Sequence, residues 1–128
     1  MSETLILGPH DDGVRAVCIL EDDVIVTGTD GGTVRCWDSK TGRMLSEMQE
    51  PRHHEPVWSL VALPDGRVAS ASFDTSIKIH DSLSGQNLNT LCQHTDWVQQ
   101  LRLLPDGRVM SCGHDGKLCV WDGDTGAW

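Results

Sequence analysis

The sequence predicts an all-β protein built from three repeated sheet units, and three observations support that prediction. The stretches "GGTVRCWD", "DTSIKIHD" and "DGKLCVWD" recur along the chain at steps of 43 and 41 residues. Short segments rich in β-branched or small residues, such as "VIVTGT" and "RVASAS", are bounded by Asp, Gly and Pro, as strands joined by tight turns are. No segment carries a persuasive helical period.

Length and charge limit the kind of protein this is. The chain has 128 residues, 38% of them hydrophobic, which suffices for one domain with a core. Ten Lys and Arg against nineteen Asp and Glu give a net charge of −9, which repels nucleic-acid phosphates, so nucleic acid is not an expected partner. The apolar runs "VCIL" and "LVAL" are far shorter than the roughly 18 residues of a membrane helix, and no membrane association is expected.

Cysteine usage predicts a reducing compartment. The five cysteines, at positions 18, 36, 92, 112 and 119, include no C-x-x-C pair, which argues against a disulfide framework and a zinc ribbon. The predicted location is the cytoplasm, with the nucleus as the alternative. If Ser111 pairs with Trp121 across a hairpin, Cys112 and Cys119 point to opposite faces, so no disulfide is expected between them.

The repeat extends beyond the three marked stretches. The hydroxyl residues Thr27, Ser70 and Ser111 each lie ten positions before the residue that occupies the Trp position of their repeat, and they show the same steps of 43 and 41. "LPDGRV" occurs at 63–68 and again at 104–109. The Asp that ends each of the three recurring stretches begins a D-x-x-x-G motif. A period of about 40 to 45 residues with a Trp-Asp mark is the signature of a four-stranded propeller blade.

On these residues the chain resembles the WD-repeat β-propeller family over its whole length. The resemblance implies blades of four antiparallel strands, a to d. It also implies, in each blade, a hydrogen-bonded tetrad made by a His before strand a, a Ser or Thr on b, an Asp in the b–c turn and a Trp on c. The implied tetrad residues are His10, Thr27, Trp37, His53, Ser70, Asp74, His80, His94, Ser111, Asp115 and Trp121.

Two of the three tetrads depart from the family pattern. Gly31 stands where the first repeat should have its Asp, and His80 stands where the second should have its Trp. Spacing selects His53 over His54 as the leading histidine of the second repeat, because only 10, 53 and 94 follow the steps of 43 and 41. We expect His80 to be partly buried and hydrogen-bonded to its neighbours.

The repeat also sets the predicted domain boundaries. Residues 10–52, 53–93 and 94–128 are the three predicted blades, the last without its own strand d, and residues 1–9 resemble a strand d that completes a neighbouring blade. Three blades are too few for a closed ring, so we expect homo-oligomerisation by strand exchange, with a dimer slightly favoured over a trimer. A fragment of a longer propeller explains the same features.

Chemical sites are weakly indicated. His53 and His54 lack a third metal ligand at useful spacing, and histidines that recur once per repeat are better explained as tetrad members. Ser111, His94 and Asp115 have the residue types of a hydrolase triad but are also tetrad residues. We therefore predict no catalytic residue, no metal and no cofactor.

Partner binding is the function that the resemblance implies. In the family, exposed contact positions lie at the start of strand a and just before the tetrad Asp. Carried over by position, they are Gly13, Arg15, Asp30, Pro56, Trp58, Phe73, Trp97, Gln99 and His114. The candidate partner-binding residues among them are Arg15, Asp30, Trp58, Phe73, Trp97, Gln99 and His114. The predicted function is a non-enzymatic protein–protein interaction scaffold that binds a protein or peptide on this loop face. The alternatives are a purely structural self-assembling ring, natural or engineered, and packing of Trp58 and Trp97 against an adjacent blade.

Overall fold

Strands account for most of the regular structure of this chain. The computed structural model describes residues 5–10, 12–92 and 94–122. Within them, β1–β4 form a first sheet and β5–β8 a second, both four-stranded, while β9–β11 form a third, three-stranded sheet. All pairs are antiparallel. The strands are β1 (Val14–Leu20), β2 (Val24–Thr29), β3 (Val34–Asp38), β4 (Met44–Glu47), β5 (Val57–Ala62), β6 (Arg67–Ser72), β7 (Ile77–Asp81), β8 (Asn87–Leu91), β9 (Val98–Leu103), β10 (Val109–Gly113) and β11 (Leu118–Trp121).

The helical content of the described residues is limited to two single turns of 3-10 helix, Glu21–Asp23 and Pro64–Gly66. Both lie in the connection between the first two strands of a sheet. In the part of the chain that the structure describes, no helix is long and apolar enough to cross a membrane. The prediction of an all-β fold is confirmed.

Alternation along the strands gives each sheet two different faces. On β3, Val34 and Cys36 point to one side and belong to a core shared with the second sheet, whereas Trp37 points to the other. The same division holds on β7, where Ile77 and Ile79 point away from His80. Each sheet therefore has an apolar face and a face that carries the tetrad positions.

The cores lie between the sheets. One core joins the apolar face of the first sheet to the tetrad face of the second, through residues such as Val26, Val57 and Val68. The other joins the second sheet to the third, through residues such as Ile77, Leu101 and Trp121. Strand β1 packs against β5 and β5 against β9, so the first strands of the three sheets line one side of the molecule.

The D-x-x-x-G motifs form the connection to the outer strand of each four-stranded sheet. The amide of Gly42 donates to the Asp38 carbonyl and that of Gly85 to the Asp81 carbonyl, both at 2.8 Å. Both glycines have φ of 76°, in the left-handed region that glycine adopts without steric cost. The third motif reaches residues 123–126, which lie outside the described residues.

The two ends of this stack of sheets are exposed. Val17 and Ile19 on the outer face of the first sheet are 63% and 70% exposed, and Leu118 on the outer face of the third is 62% exposed. Strand β11 has no hydrogen-bonded neighbour on its outer side among the described strands. The exposed faces are the tetrad face of the first sheet and the apolar face of the third, and the corresponding faces of the other sheets are buried between sheets.

The predicted strand over residues 1–9 is not present in the described part of that segment. Residues 5–9 form no strand. They lie on the first sheet, where Pro9 O accepts from Arg35 Nη1 at 3.4 Å and Leu5 contacts Gly42. The open edge of β11 belongs to the third sheet and not to the first, on which residues 5–9 lie. Completion of another chain's sheet by this segment stays a prediction.

Gly28 tests how tightly the first two sheets pack. A Cβ at Gly28 would lie 2.7 Å from Val57 Cγ1, whereas a Cβ at Gly31 would meet only ordinary contacts of 3.5 Å or more. We expect Gly28→Ala to lower the free energy of unfolding by about 1–3 kcal/mol. The control Gly31→Ala should change it by less than about 0.5 kcal/mol. Urea unfolding of both variants measures this, and equal effects would contradict the close packing.

Candidate partner-binding site

The first strand of each sheet carries a β-bulge at the same repeat position. The ladder between the first and second strands skips Arg15 on β1, Trp58 on β5 and Gln99 on β9. A bulge places two residues opposite one and redirects a side chain from the regular alternation. Three of the predicted contact positions are thus the bulged residues.

The turn between the second and third strands is hydrogen-bonded to the residue two positions before the bulged residue, directly before the first strand begins. The amides of Asp30, Phe73 and His114 donate to the carbonyls of Gly13, Pro56 and Trp97 at 2.9 to 3.0 Å. This bond, made once per sheet, brings the turn position and the bulge position to the same end of the strands. The remaining predicted contact positions therefore lie beside the first three.

Five of these side chains form a continuous array across the three sheets. The Arg15 guanidinium carbon lies 4.5 Å from the centroid of the Trp58 ring, and Trp58 stacks on Trp97 with centroids 5.9 Å apart and planes inclined by 10°. Phe73 and His114 each pack on Trp97 with centroid separations of 4.5 Å. We call Arg15, Trp58, Phe73, Trp97 and His114 the aromatic array.

Charge and exposure differ along the aromatic array. Arg15 Nε forms an ion pair with Asp30, so the cation over Trp58 is already compensated. Trp58, Phe73 and Trp97 are partly exposed, whereas Arg15 and His114 are exposed. The indole N–H of Trp58 is buried without a hydrogen-bond partner. An unpaired buried donor costs about 1–3 kcal/mol. Because the Trp58 indole makes no hydrogen bond, its contacts with other rings set its orientation.

Not every predicted contact residue joins the array. Gln99 is exposed on β9 and has no ring contact within the described residues. The expectation that Trp58 and Trp97 pack against an adjacent sheet also matches the structure, because the two rings stack on each other across the second and third sheets. Packing and exposure are compatible here, since both rings stay partly exposed.

The third sheet contains a complete chain of hydrogen bonds from Trp to Asp. Trp121 Nε1 donates to Ser111 Oγ at 2.8 Å, and Ser111 Oγ lies 2.8 Å from His94 Nε2. His94 Nδ1 lies 3.1 Å from Asp115 Oδ2. One consistent set of donors runs from Trp121 through Ser111 and His94 to Asp115, with the His94 proton on Nδ1. This chain ties the segment before β9 to β10, to β11 and to their turn.

The connectivity of Ser111, His94 and Asp115 is that of a hydrolase triad, but its setting is not. Ser111 is 0% exposed, and its oxygen also accepts from the Trp121 indole. A nucleophile must reach a substrate carbonyl, which a hydroxyl buried under an indole cannot do. Burial opposes ionisation of Asp115, but bonds from the amides of Lys117 and Thr95 and from His94 outweigh it and hold the pKa at about 2.

The first sheet has a shorter version of this chain. Thr27 Oγ1 lies 2.9 Å from His10 Nε2 and accepts from Trp37 Nε1 at 2.9 Å. The His10 and Trp37 rings are also in contact, with centroids 4.9 Å apart. Gly31 supplies no carboxylate at the fourth position, and the neighbouring Asp30 instead pairs with Arg15 of the aromatic array.

The second sheet lacks the Trp end of the chain. His53 Nε2 lies 2.9 Å from Ser70 Oγ, and His53 Nδ1 lies 2.6 Å from Asp74 Oδ2. Burial again opposes ionisation of Asp74, but its hydrogen bonds to His53 and Ser76 outweigh burial and hold its pKa at about 2.

Both ring nitrogens of His53 are engaged, and His54 pairs with Glu50 at 2.9 Å. The described residues contain no group of three or more possible metal ligands.

The expectation for His80 is wrong. Its side chain is 1% exposed, not partly buried, and neither ring nitrogen has a hydrogen-bond partner. The imidazole does not make the bond to Ser70 that an indole makes to the matching hydroxyl in the other sheets. Burial, followed by the nearby His53, lowers the pKa of His80 to about 4. His80 is therefore neutral and unpaired inside the core.

The register assumed for the third hairpin is also wrong. Trp121 pairs with Val109, and Ser111 pairs with Cys119. The indole reaches Ser111 diagonally, because a Trp side chain spans two residues along the neighbouring strand.

Cys112 and Cys119 still point to opposite faces, and all five cysteines are free thiols. Burial, followed by the nearby Cys36, raises the pKa of Cys18 to about 12, which makes that thiol a poor nucleophile.

Comparison with known proteins decides the family. The family model described as "WD domain, G-beta repeat" matches residues 1–38, 45–81 and 85–122. This chain belongs to the WD40 repeat family. Its fold matches the solved structures titled "Structure of U3-55K" and "Crystal structure of RRP9 WD40 repeats". Both give a TM-score of 0.86 at 23% identity and cover 94% of this chain, which spans 39% and 38% of theirs.

Curated WD40 relatives are considerably longer than this chain. Mitochondrial division protein 1 of Schizosaccharomyces pombe is 28% identical over an alignment of 116 residues, and the match covers 77% of this chain and 18% of that protein. The Aedes aegypti homologue of ribosome biogenesis protein WDR12 is 28% identical over 102 residues, 77% of this chain and 23% of its own length. WD repeat and SOCS box-containing protein 1 of Xenopus tropicalis is 32% identical over 78 residues, 59% of this chain and 18% of its own length. The chain thus spans about a fifth of these WD40 proteins.

The sequence predicted which positions lie at this end of the strands but not how their side chains meet. Family positions indicated seven exposed residues, whereas the stacking of Trp58 on Trp97 and the placement of Arg15 over Trp58 came from the structure. One signal was available: Arg15, Trp58 and Gln99 share one repeat position, and a shared position at a strand start is where a bulge recurs.

The buried His80 predicts an acid-sensitive contribution to stability. Its pKa is about 4 in the folded chain against 6.5 for an ordinary histidine. Folding therefore favours the neutral form. The free energy of unfolding is unaffected by His80 above pH 6.5, and it decreases as the pH falls from 6.5 to about 4, because only the unfolded chain then protonates this histidine. Below about pH 4 the effect stays constant. The loss is on the order of 3 kcal/mol.

Urea unfolding between pH 7 and pH 4 tests this contribution. We expect His80→Leu to remove that part of the acid dependence and to stabilise the chain at pH 5. The control His54→Gln removes an exposed histidine together with its pair to Glu50, and it should leave the loss that His80 causes in place. An unchanged profile in His80→Leu would show that His80 is not buried as a neutral group.

Proposed function

We propose that this chain is a non-enzymatic interaction module that binds a protein or peptide on the loop face, through the aromatic array. The observation that carries the proposal is the continuity of the array, in which Arg15, Trp58, Trp97, Phe73 and His114 connect three sheets through ring contacts. We place the chain in the cytoplasm or the nucleus on the basis of its cysteine usage.

The physical argument rests on what partly exposed aromatic rings do. Trp is enriched among the residues that dominate interface energies, because it buries a large area with few rotatable bonds. The rings of the array are held by each other and by the turn hydrogen bonds, so binding costs little side-chain entropy. An enzymatic alternative finds no support at Ser111, whose hydroxyl is buried and hydrogen-bonded to Trp121.

Peptides selected from an unbiased display library on the full chain test the proposed site. We expect Trp58→Ala and Phe73→Ala to weaken binding of the selected peptides by about 1–4 kcal/mol, because each removes part of the ring surface. The control Leu83→Ala changes a side chain that is 82% exposed but lies in the turn between β7 and β8, and it should leave binding unchanged. Thermal unfolding checks that all three variants stay folded. Selected peptides that bind both ring variants as tightly as the wild type would refute the site.

A second candidate function is self-assembly, and the exposed apolar ends of the stack favour it. Val17 and Ile19 on one end, and Leu118 with the open edge of β11 on the other, resemble faces and edges that are covered within the chain. A second copy that supplies residues 1–9 to the third sheet would cover both ends. Further blades of a longer polypeptide would do the same, which agrees with the greater length of the relatives.

Solution mass separates these two coverings. If copies cover each other, light scattering should give two or three times the 14.1 kDa of one chain, and the folded fraction should rise with protein concentration. Deletion of residues 1–7 should then return the assembly to monomers, because the third sheet loses its fourth strand. A folded 14.1 kDa monomer, or a truncated chain that still assembles, would contradict strand exchange.

A further inference from the structure

A row of carboxylates lies on the same face as the aromatic array. Two positions after each leading histidine the chain has an acidic residue, Asp12, Glu55 or Asp96, with the steps of 43 and 41 that mark the repeat. All three side chains are exposed. Each residue directly precedes the one whose carbonyl holds a turn amide, so all three lie at the end of the strands that carries the array. We call Asp12, Glu55 and Asp96 the acidic rim.

The acidic rim is not neutralised within the described part of the chain. Its members form no ion pair there, and the nearby Arg15 is already paired with Asp30. Asp12 and Asp96 each accept a hydrogen bond from the next residue's amide at 2.8 Å, which fixes the side chains beside the loop face. The net charge of −9 adds a long-range attraction for cations.

Arg15 shows which kind of side chain the array accepts. Its guanidinium lies over the Trp58 ring at 4.5 Å while its Nε binds the Asp30 carboxylate, so one cation satisfies a ring and an acid together. Trp97 offers a ring and an acid at adjacent positions, because it is partly exposed and directly follows the exposed Asp96; Trp58, Phe73 and His114 contact part of its ring. Among the described residues, no cation of the chain lies over Trp97.

Resting on the interaction function proposed above, we propose that the partner is a protein segment rich in Arg or Lys. Its cationic side chains lie against Trp97 and pair with Asp12, Glu55 and Asp96, as Arg15 does with Trp58 and Asp30. Aromatic rings and carboxylates together favour a cation over an apolar or an acidic side chain, because the ring faces and the acids both attract positive charge.

Two matched triple variants test the charge requirement. Asp12→Asn, Glu55→Gln and Asp96→Asn together remove the acidic rim and keep an oxygen that can accept the amide bonds of Asp12 and Asp96. The control triple, Glu21→Gln, Asp65→Asn and Asp106→Asn, removes three exposed charges from the connections between first and second strands, at the opposite end of the strands. The two triples have the same net charge, so any difference between them is local.

The probe is a labelled twelve-residue peptide of alternating Arg and Gly, with a twin that carries citrulline at each Arg. At 150 mM salt we expect the rim triple to weaken binding of the Arg peptide by about tenfold relative to the control triple, from the loss of three exposed ion pairs. Trp97→Ala should weaken it by a similar factor, and the citrulline twin should bind at least as weakly. Equal binding by the two triples would overturn the proposal.

The display selection described above keeps the two proposals separable. Selected peptides that are enriched in Arg or Lys and require both Trp97 and the acidic rim support the proposal. Peptides that require the array but have no excess of Arg or Lys overturn the charge class and leave the interaction function standing. Peptides that are indifferent to Trp58, Phe73 and Trp97, or the absence of any binder, overturn both.

Discussion

Each sheet of this chain depends on a second sheet to cover its face. The apolar side of the first sheet and the tetrad side of the second make one core, and the second and third sheets make another. Since apolar burial between layers is the main stabilising term, no sheet would be stable alone. The inner face of the first sheet is covered by the second sheet, with Gly28 in close contact with Val57. Its outer face is not covered within the described part of the chain, so Val17 and Ile19 are exposed.

The hydrogen-bonded chains of the tetrads are secondary to this packing. The third sheet has the complete chain, the first lacks its carboxylate and the second lacks its indole, yet all three have the same strand order. Sheet packing tolerates even the unpaired His80, at a cost of about 1–3 kcal/mol. The tetrads therefore tune local stability, whereas the overall arrangement comes from the alternation of side chains along the strands.

The repeat made most of the fold predictable from the sequence. The steps of 43 and 41 located the three sheets and the positions that meet at the loop face. Two details were not predictable, because they depend on distances between side chains. Ser111 lies opposite Cys119, and the long indole of Trp121 still reaches its hydroxyl diagonally. The shorter imidazole of His80 reaches no hydrogen-bond partner.

The candidate site was predictable as a set of positions but not as a surface. Spacing cannot say that the Trp58 and Trp97 rings lie parallel or that Arg15 bends over the first of them, since both depend on the angle between neighbouring sheets. The acidic rim, in contrast, is legible in the sequence once the leading histidines are aligned. Its significance appears only when the turn hydrogen bonds place it beside the rings.

The recurrent bulge makes one side chain per sheet independent of the fold in this chain. Arginine, tryptophan and glutamine occupy the same bulged position in the three sheets, although they differ in size, charge and shape. The flanking ladder bonds keep their register in each case, so the backbone is insensitive to the side chain at that position. Residues here can be exchanged without disturbing the cores, so the chemistry of the loop face can change, by natural variation or by engineering, while the architecture stays the same.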